Sequence, residues 1–469
     1  MSTPLNAKEQ RVLGKLQNVP GLVLAHQVGT GKTRTSIQVA NALKMPSEVV
    51  VPAALKENYK KEIDKWAPES KNNFHIQSQQ GLAVSPTKLN RSSGTSLVVD
   101  EAHRARDPNS LLMKALQKSR ANKRLLLSAS PVYNHPADIA PLINLAANEK
   151  VLPENKAQFS EKFIGQKKVS PGLLGSLFGI NPGEIEVLKN TKELAKPLKQ
   201  YVDYEPAVQD INAFPSSREE TVKVPMTENQ QNIYRTIMGK APFWMRWKVR
   251  AGLPPNKGEL TSLQAFLTGA RQVANSDYDF IRNKNKVNAP KAEAAVNFLK
   301  ARLKENPNYK GVVYSNYLGS GLAPYKQLLE KHKIPYGEFS GELPPKIRNQ
   351  MVNDYNADKL KALLISSAGA EGLDLKGTRV LQILEPHFNR EKEKQVIGRA
   401  IRYKSHAALP EDQRNVLIQR YIGQPRAGMF ARLFGRDTVR GTDEYISDMA
   451  DRKEQLNSQM MNLIAQTSR

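Results

Sequence analysis

The sequence predicts an α/β protein with two parallel-sheet lobes flanked by helices, a mostly helical insertion between them and a C-terminal helix. Three observations carry this. Short β-branched or Leu-rich runs alternate with longer helical stretches in two separate clusters. The region between the clusters lacks that alternation. The chain has 469 residues, a length for about three domains.

In the first cluster the strand candidates are Gly21–Ala25, Glu48–Val51, Ser96–Val99 and Arg124–Leu127. In the second they are Gly311–Tyr314, Lys361–Ile365 and Arg379–Leu384. The intervening stretch is punctuated by Ser170-Pro-Gly, Asn181-Pro-Gly and Leu253-Pro-Pro-Asn, which are turn signals. The expected organisation is a first lobe at 1–165, the insertion at 166–285, a second lobe at 286–440 and a helix at 441–469. Asp443 is the expected N-cap of that helix.

Lys and Arg number 70 against 45 Asp and Glu, a net charge of +25. Such a charge calls for a polyanionic partner, nucleic acid first and an anionic membrane surface second. No apolar run approaches the roughly 20 residues of a spanning helix, and the N-terminal residues lack the apolar core of a secretion signal. The expectation is a soluble intracellular protein. Cysteine is absent, which excludes disulfides, thiolate catalysis and Cys-ligated metal centres.

Three motifs carry chemistry. The first is His26-Gln-Val-Gly-Thr-Gly-Lys-Thr33, between a strand candidate and a helical stretch. Gly29 and Gly31 free backbone N–H groups to wrap a phosphate, with Val28 and Thr30 in the same loop. Lys32 reaches the β/γ oxygens and Thr33 offers a hydroxyl to Mg²⁺. The general pattern has Gly where His26 stands. The second motif is Asp100-Glu-Ala-His103 after Leu97-Val-Val99. A buried strand ending in two carboxylates is costly unless they meet a cation or a reacting water. Asp100 would hold Mg²⁺, and Glu101 would polarise the water. The third is Gln395-Val-Ile-Gly-Arg-Ala-Ile-Arg402. Arg399 and Arg402 are three apart and would share a helix face, suited to a γ-phosphate or merely solvated.

In this order the segments resemble the ATPase core of superfamily 2 helicases and translocases, closest to the Swi/Snf-like branch. Val49-Val-Val-Pro52, Leu127-Ser-Ala-Ser-Pro131, Val224-Pro-Met-Thr-Glu-Asn-Gln230, Gly311-Val-Val-Tyr-Ser-Asn316 and Ser366-Ser-Ala-Gly-Ala-Glu-Gly-Leu-Asp-Leu375 resemble further motifs of that branch. Gly398-Arg-Ala-Ile-Arg-Tyr-Lys-Ser-His406, with Leu409-Pro-Glu-Asp-Gln-Arg414, looks like its viral members, the poxvirus nucleoside triphosphatase I and early transcription factor ATPase group. The resemblance covers about residues 1–165 and 285–460. It implies two RecA-like lobes, ATP and Mg²⁺ between them, and a nucleic-acid track, DNA before RNA. It also implies a motor that works as a monomer, in a virus or its host cell. By motif match Gln10 reads the adenine. Gly372 and Asp374 join the nucleotide residues. Pro52, Ser315, Asn316, Ser340, Gly341 and Ser367 face the nucleic-acid backbone.

Phe243-Trp-Met-Arg-Trp-Lys-Val-Arg250 interleaves aromatics with cations, and 235–258 contains no acidic residue. Trp244, Arg246 and Trp247 therefore suit nucleic-acid contact, and equally an amphipathic helix face. Arg420, Arg426, Arg432, Arg436 and Arg440 form a second basic series. Two functions compete: an ATP-driven translocase or helicase on DNA, and an ATP-using transcription accessory factor acting on a polymerase. An unrelated P-loop ATPase such as a kinase fits poorly with the Arg399 segment and the second strand cluster.

Overall fold

The computed structural model describes residues 4–27, 29–89, 94–207, 214–256, 258–340, 343–366, 374–388, 390–428 and 437–468. The chain divides into two units. One comprises 1–166, 186–209 and 453–469; the other comprises 167–185 and 210–452.

The first unit is built on a six-stranded parallel sheet of order β3-β2-β4-β5-β1-β8. Its strands are β1 (Gly21–His26), β2 (Ser47–Val51), β3 (Phe74–Ser78), β4 (Ser96–Val99), β5 (Lys123–Leu127) and β8 (Val202–Glu205). β1, β2 and β4 are buried along their whole length, as expected of strands covered on both faces. Parallel neighbours need crossovers, which the helices Lys32–Ala42, Lys56–Trp66 and Leu111–Gln117 help to supply. The helix Ala7–Gln17 starts in a capping box between Asn6 and Glu9.

The second unit repeats the plan with order β11-β12-β10-β13-β14-β9. The strands are β9 (Ser216–Pro225), β10 (Gly311–Ser315), β11 (Tyr336–Phe339), β12 (Ala362–Ser366), β13 (Val380–Ile383) and β14 (Asn415–Gln424). β9 and β14 pair in parallel from Asn415↔Ser216 to Gln424↔Pro225. β6 (Ile164–Val169) and β7 (Gly183–Leu188) form a separate two-stranded sheet.

Among the described residues, the stretch 166–285 thus holds most of β6 and all of β7, β8 and β9 as well as helices, more strand than its sequence announces. β8 completes one sheet and β9 the other. β9 is an edge strand carrying Arg218, Glu219, Glu220 and Lys223, mostly exposed. Charge at an edge blocks pairing with other chains and erases the apolar alternation that marks a strand in sequence. The helical part of the stretch has its own core, in which Met226, Tyr234, Met245, Leu263 and Leu267 pack with Tyr445 and Ile446.

The last helix, Thr442–Thr467, serves both units. Tyr445 and Ile446 enter that helical core, and Leu456, Met460 and Ile464, at four-residue spacing, enter the core of the first unit. Asp443 is not its N-cap. The helix begins one residue earlier, and Asp443 is buried, 2.5 Å from Lys291 Nζ and accepting from Gly423 N at 2.9 Å. Among the described residues no helix is long and apolar enough to cross a membrane.

Candidate nucleotide and nucleic-acid sites

β1 delivers its last residue, His26, directly into the phosphate-loop segment. Gly29 and Gly31 have φ of +82° and +73°. At Gly31 a Cβ would meet nothing within 4 Å, so the left-handed backbone, not space, requires glycine there. The helix Lys32–Ala42 starts immediately after it. Lys32 Nζ lies 3.0 Å from the His26 carbonyl and 3.4 Å from that of Gln27. Burial lowers the pKa of this amine, opposed by the charges of Glu101 and Asp100. Thr30 Oγ1 donates to Gln27 O at 2.8 Å, and Thr33 sits half-buried in the first helical turn. Val28 lies outside the described residues.

His26 explains its departure from the glycine pattern. Its ring is fully buried, with Nε2 2.8 Å from Asp203 Oδ2 on β8. Asp203 also accepts from Arg11 Nε and Nη2 at 3.0 and 2.9 Å, and Lys15 Nζ lies 3.0 Å from it. Burial alone would raise the Asp203 carboxyl. Hydrogen bonds from His26 and Arg11, with the Lys15 ammonium, outweigh burial and hold it well below the usual carboxylate range. Burial lowers the His26 pKa despite the opposing Asp203 contact, and a carboxylate facing Nε2 calls for a proton on that nitrogen. Sequence reading missed Asp203, which lies in a region without an apolar strand signal. Gln10, next to Arg11, is exposed and donates to Leu5 O at 3.0 Å.

The acidic pair follows β4. Asp100 is 7% exposed, and burial, then the neighbouring Glu101, pushes its pKa up to about 6. Its Oδ1 accepts from Glu101 N at 2.9 Å, and its carbonyl accepts from Gln79 Nε2 at 2.7 Å. Glu101 has φ +49°, a left-handed conformation that a residue with a Cβ adopts at a cost. His103 Nδ1 is 3.3 Å from Ser128 Oγ and 3.4 Å from Glu101 Oε2, and its ring stacks on Tyr133. The acidic segment is thereby linked to the Leu127-Ser-Ala-Ser segment.

In the second unit the helix carrying Arg399 spans Arg390–Ala400. Arg402 lies beyond its end, so the two arginines do not share a helix face. The chain turns there, with Arg402 N donating to Ser405 Oγ at 3.2 Å. Arg402 Nη1 pairs with Asp374 Oδ1 at 3.2 Å. Gly372 lies outside the described residues.

The residues expected on the nucleic-acid backbone are largely turned inward. Ser315 Oγ, Asn316 N and Asn316 Nδ2 donate to the buried Glu385 carboxylate at 2.9, 2.6 and 3.1 Å. Asn275 Nδ2 adds a bond at 2.7 Å. Glu385 was invisible to sequence reading because its partners come from two segments distant in the chain. Ser315 and Ser340 are 0% and 1% exposed, and Pro52 is buried. Both hydroxyls are thus buried in this arrangement. Gly341 and Ser367 lie outside the described residues. Trp244 is half-buried against the helical core, and the half-buried Trp247 covers Gly175, whose Cβ would fall 2.7 Å from the indole. Both tryptophans thus pack on the helical region while staying half-exposed, and Arg246 stays exposed. Arg420 pairs with Glu219 and, at 2.9 Å, with Glu393. Arg426 donates to Met226 O at 2.8 Å, and Arg440 pairs with Asp448. Arg432 and Arg436 lie outside the described residues.

The SNF2-related domain matches residues 71–279, and the helicase conserved C-terminal domain matches 291–404. A protein of Acanthamoeba polyphaga mimivirus, provisionally named an ATP-dependent RNA helicase, is 29% identical over 99% of this chain and 97% of its own. A termination factor NPH-I homolog of African swine fever virus is 23% identical over 96% of this chain and 76% of its own. The solved SWI2/SNF2 ATPase core of Sulfolobus solfataricus in complex with dsDNA aligns over 99% of this chain and 97% of its own, at 16% identity and a TM-score of 0.38. Beside its two parallel-sheet units, the chain thus carries an SNF2-related domain followed by a helicase conserved C-terminal domain.

Proposed function

We propose that this ATPase hydrolyses Mg²⁺-ATP to translocate along nucleic acid, with duplex DNA as the preferred track. The observation that carries the reading is the first unit's own assembly. The phosphate-loop segment after β1 and the acidic pair after β4 leave the same edge of one parallel sheet, with only β5 between them. Ligands of such sheets bind at the carboxyl ends of the strands.

The residues fit a metal-bound triphosphate. Lys32 rests on two loop carbonyls, which an incoming phosphate would replace. Asp100 is a buried carboxyl beside a second carboxylate, a setting that a divalent cation relieves. Thr33 and Asp100 would hold Mg²⁺, and Glu101 would orient the attacking water. When bound, Mg²⁺-ATP supplies the scissile phosphoanhydride and neutralises its developing charge. Arg399 and Arg402 are the second unit's candidate cations for that charge; Arg402 would exchange Asp374 for it. Gln10 is the proposed adenine contact. The +25 charge and the exposed Arg246 support a polyanionic track.

An ATPase assay against duplex and single-stranded DNA and RNA tests this reading. Duplex DNA should raise turnover most, and Lys32→Ala should lower it at least about 10²-fold while nucleic-acid binding persists. If no polymer stimulates turnover, the track is wrong; if Lys32→Ala retains turnover, the site is wrong.

A second reading, an ATP-driven transcription accessory factor acting on a polymerase, is favoured by the African swine fever virus relative, whose name describes termination. ATP-dependent release of a co-purifying polymerase would support it.

A further inference from the structure

The segment between β6 and β7 holds its apolar side chains in water. Leu173, Leu174, Leu177 and Phe178 are 89%, 65%, 77% and 59% exposed. Phe243, 51% exposed, joins them through an edge contact with Phe178 at 6.1 Å between ring centroids. Isolated exposed apolar residues need no explanation, but a contiguous cluster marks an interaction surface.

The cluster sits on a fixed platform. Gly175 is the buried residue of the Gly172–Leu177 helix and lies under Trp247. Gly183 approaches Pro254 so closely that a Cβ would fall 2.5 Å from its carbonyl oxygen. Ile180 N bonds to Gly175 O at 2.9 Å, and Ile180 is buried. The glycines thus dock the segment on the region around Trp247 and Pro254, leaving the leucines outside.

The surroundings are cationic. Arg246 lies over the Phe243 ring at 6.0 Å, and Lys240 and Arg250 are exposed on the same stretch. Lys167 and Lys168 are exposed on the strand leading into the cluster, and Glu184 is the sole acidic residue in 167–185.

From the exposed apolar cluster and its basic rim, we infer that this surface docks an acidic amphipathic helix of a partner protein. Three of the five exposed side chains are leucines, which offer no stacking surface to bases, and this disfavours nucleic acid as the occupant. A second copy would bring the same cations against these, which disfavours self-association. A helix with apolar residues at i, i+3, i+4 and i+7 presents a stripe that a cluster of leucines and phenylalanines receives, and carboxylates around it meet the rim. This inference does not depend on which polymer is the track.

The test uses the full chain and a labelled synthetic helical peptide of about 16 residues, with Leu at those positions and Glu elsewhere. A Lys version and phosphatidylserine vesicles serve as competing probes. The Glu peptide should bind with micromolar affinity, and the Leu173→Ser, Leu177→Ser, Phe178→Ser triple variant should lose at least about tenfold. ATP turnover without nucleic acid should be unchanged. Should the triple variant misfold, Leu173→Ser alone should weaken binding measurably. No binding of the Glu peptide, equal binding by wild type and the Leu173→Ser variant, or preference for the Lys peptide or the vesicles overturns the inference.

Discussion

Asp100 shows what burying a carboxyl beside a second carboxylate costs in stability. Its carboxyl is raised to about 6 from an ordinary 3.8, with burial the largest cause. A raised carboxyl binds its proton more tightly when folded, so stability falls as pH rises between those two values. The cost is absent below the unfolded value and complete above the folded one, at ~3 kcal/mol. Asp100→Asn should therefore be more stable than wild type at pH 8, by up to about that amount, with the difference vanishing near pH 4. Its ATP turnover should be lost. Urea unfolding at the two pH values checks this, and a variant less stable than wild type at pH 8 would refute it. Lys32, Asp100 and Glu101 were legible because their spacing is local: each follows a strand by one or a few residues. Asp203, Gln79 and Glu385 were not, because each acts through a contact that exists only after folding.

At the scale of elements, the buried strands announced themselves and the edges did not. β1, β2 and β4 are apolar runs sandwiched between helices, whereas β8 and β9 are polar strands recruited from a region that reads as helical. The Arg390–Ala400 helix was expected to continue through Arg402, but a turn closed by Ser405 ends it. The last helix is fastened by Lys291, whose ammonium, 1% exposed, meets Asp443, Asn275 Oδ1 at 2.8 Å and Leu384 O at 3.0 Å. Lys291→Met should cost about 3–5 kcal/mol, since it leaves the Asp443 charge buried without its cation. Combining it with Asp443→Leu should recover much of that loss, because a buried ion pair contributes little net stability over an apolar pair. A double-mutant cycle in denaturant measures the coupling; additive effects would show that the pair is not coupled.

For the whole molecule, the helix Thr442–Thr467 is one covalent element with side chains in the cores of both units. Removing 453–469 strips Leu456, Met460 and Ile464 from the first unit's core and should lower the stability of that unit by several kcal/mol. Limited proteolysis should then cut the first unit preferentially; equal protection of both units would argue against this role. The +25 charge gives a second expectation at this scale. Affinity for nucleic acid should fall about 10³-fold or more between roughly 50 and 200 mM salt, and a flat dependence would exclude backbone-dominated binding.

The sequence by itself determined the fold class, the phosphate-loop segment and the acidic pair, and it set the expectation of a polyanionic partner. These follow from strand-length apolar runs, from glycines beside a lysine and from net charge, all of which survive without any three-dimensional contact. Only the tertiary structure decided that Asp203 secures His26, that Glu385 absorbs Ser315 and Asn316, that Trp244 and Trp247 are half-buried against their neighbours and that the leucines near them face water. Those assignments depend on which side chains meet across segments distant in the chain. Local spacing contains no record of such meetings, because burial and hydrogen-bond satisfaction are settled by the whole packed interior.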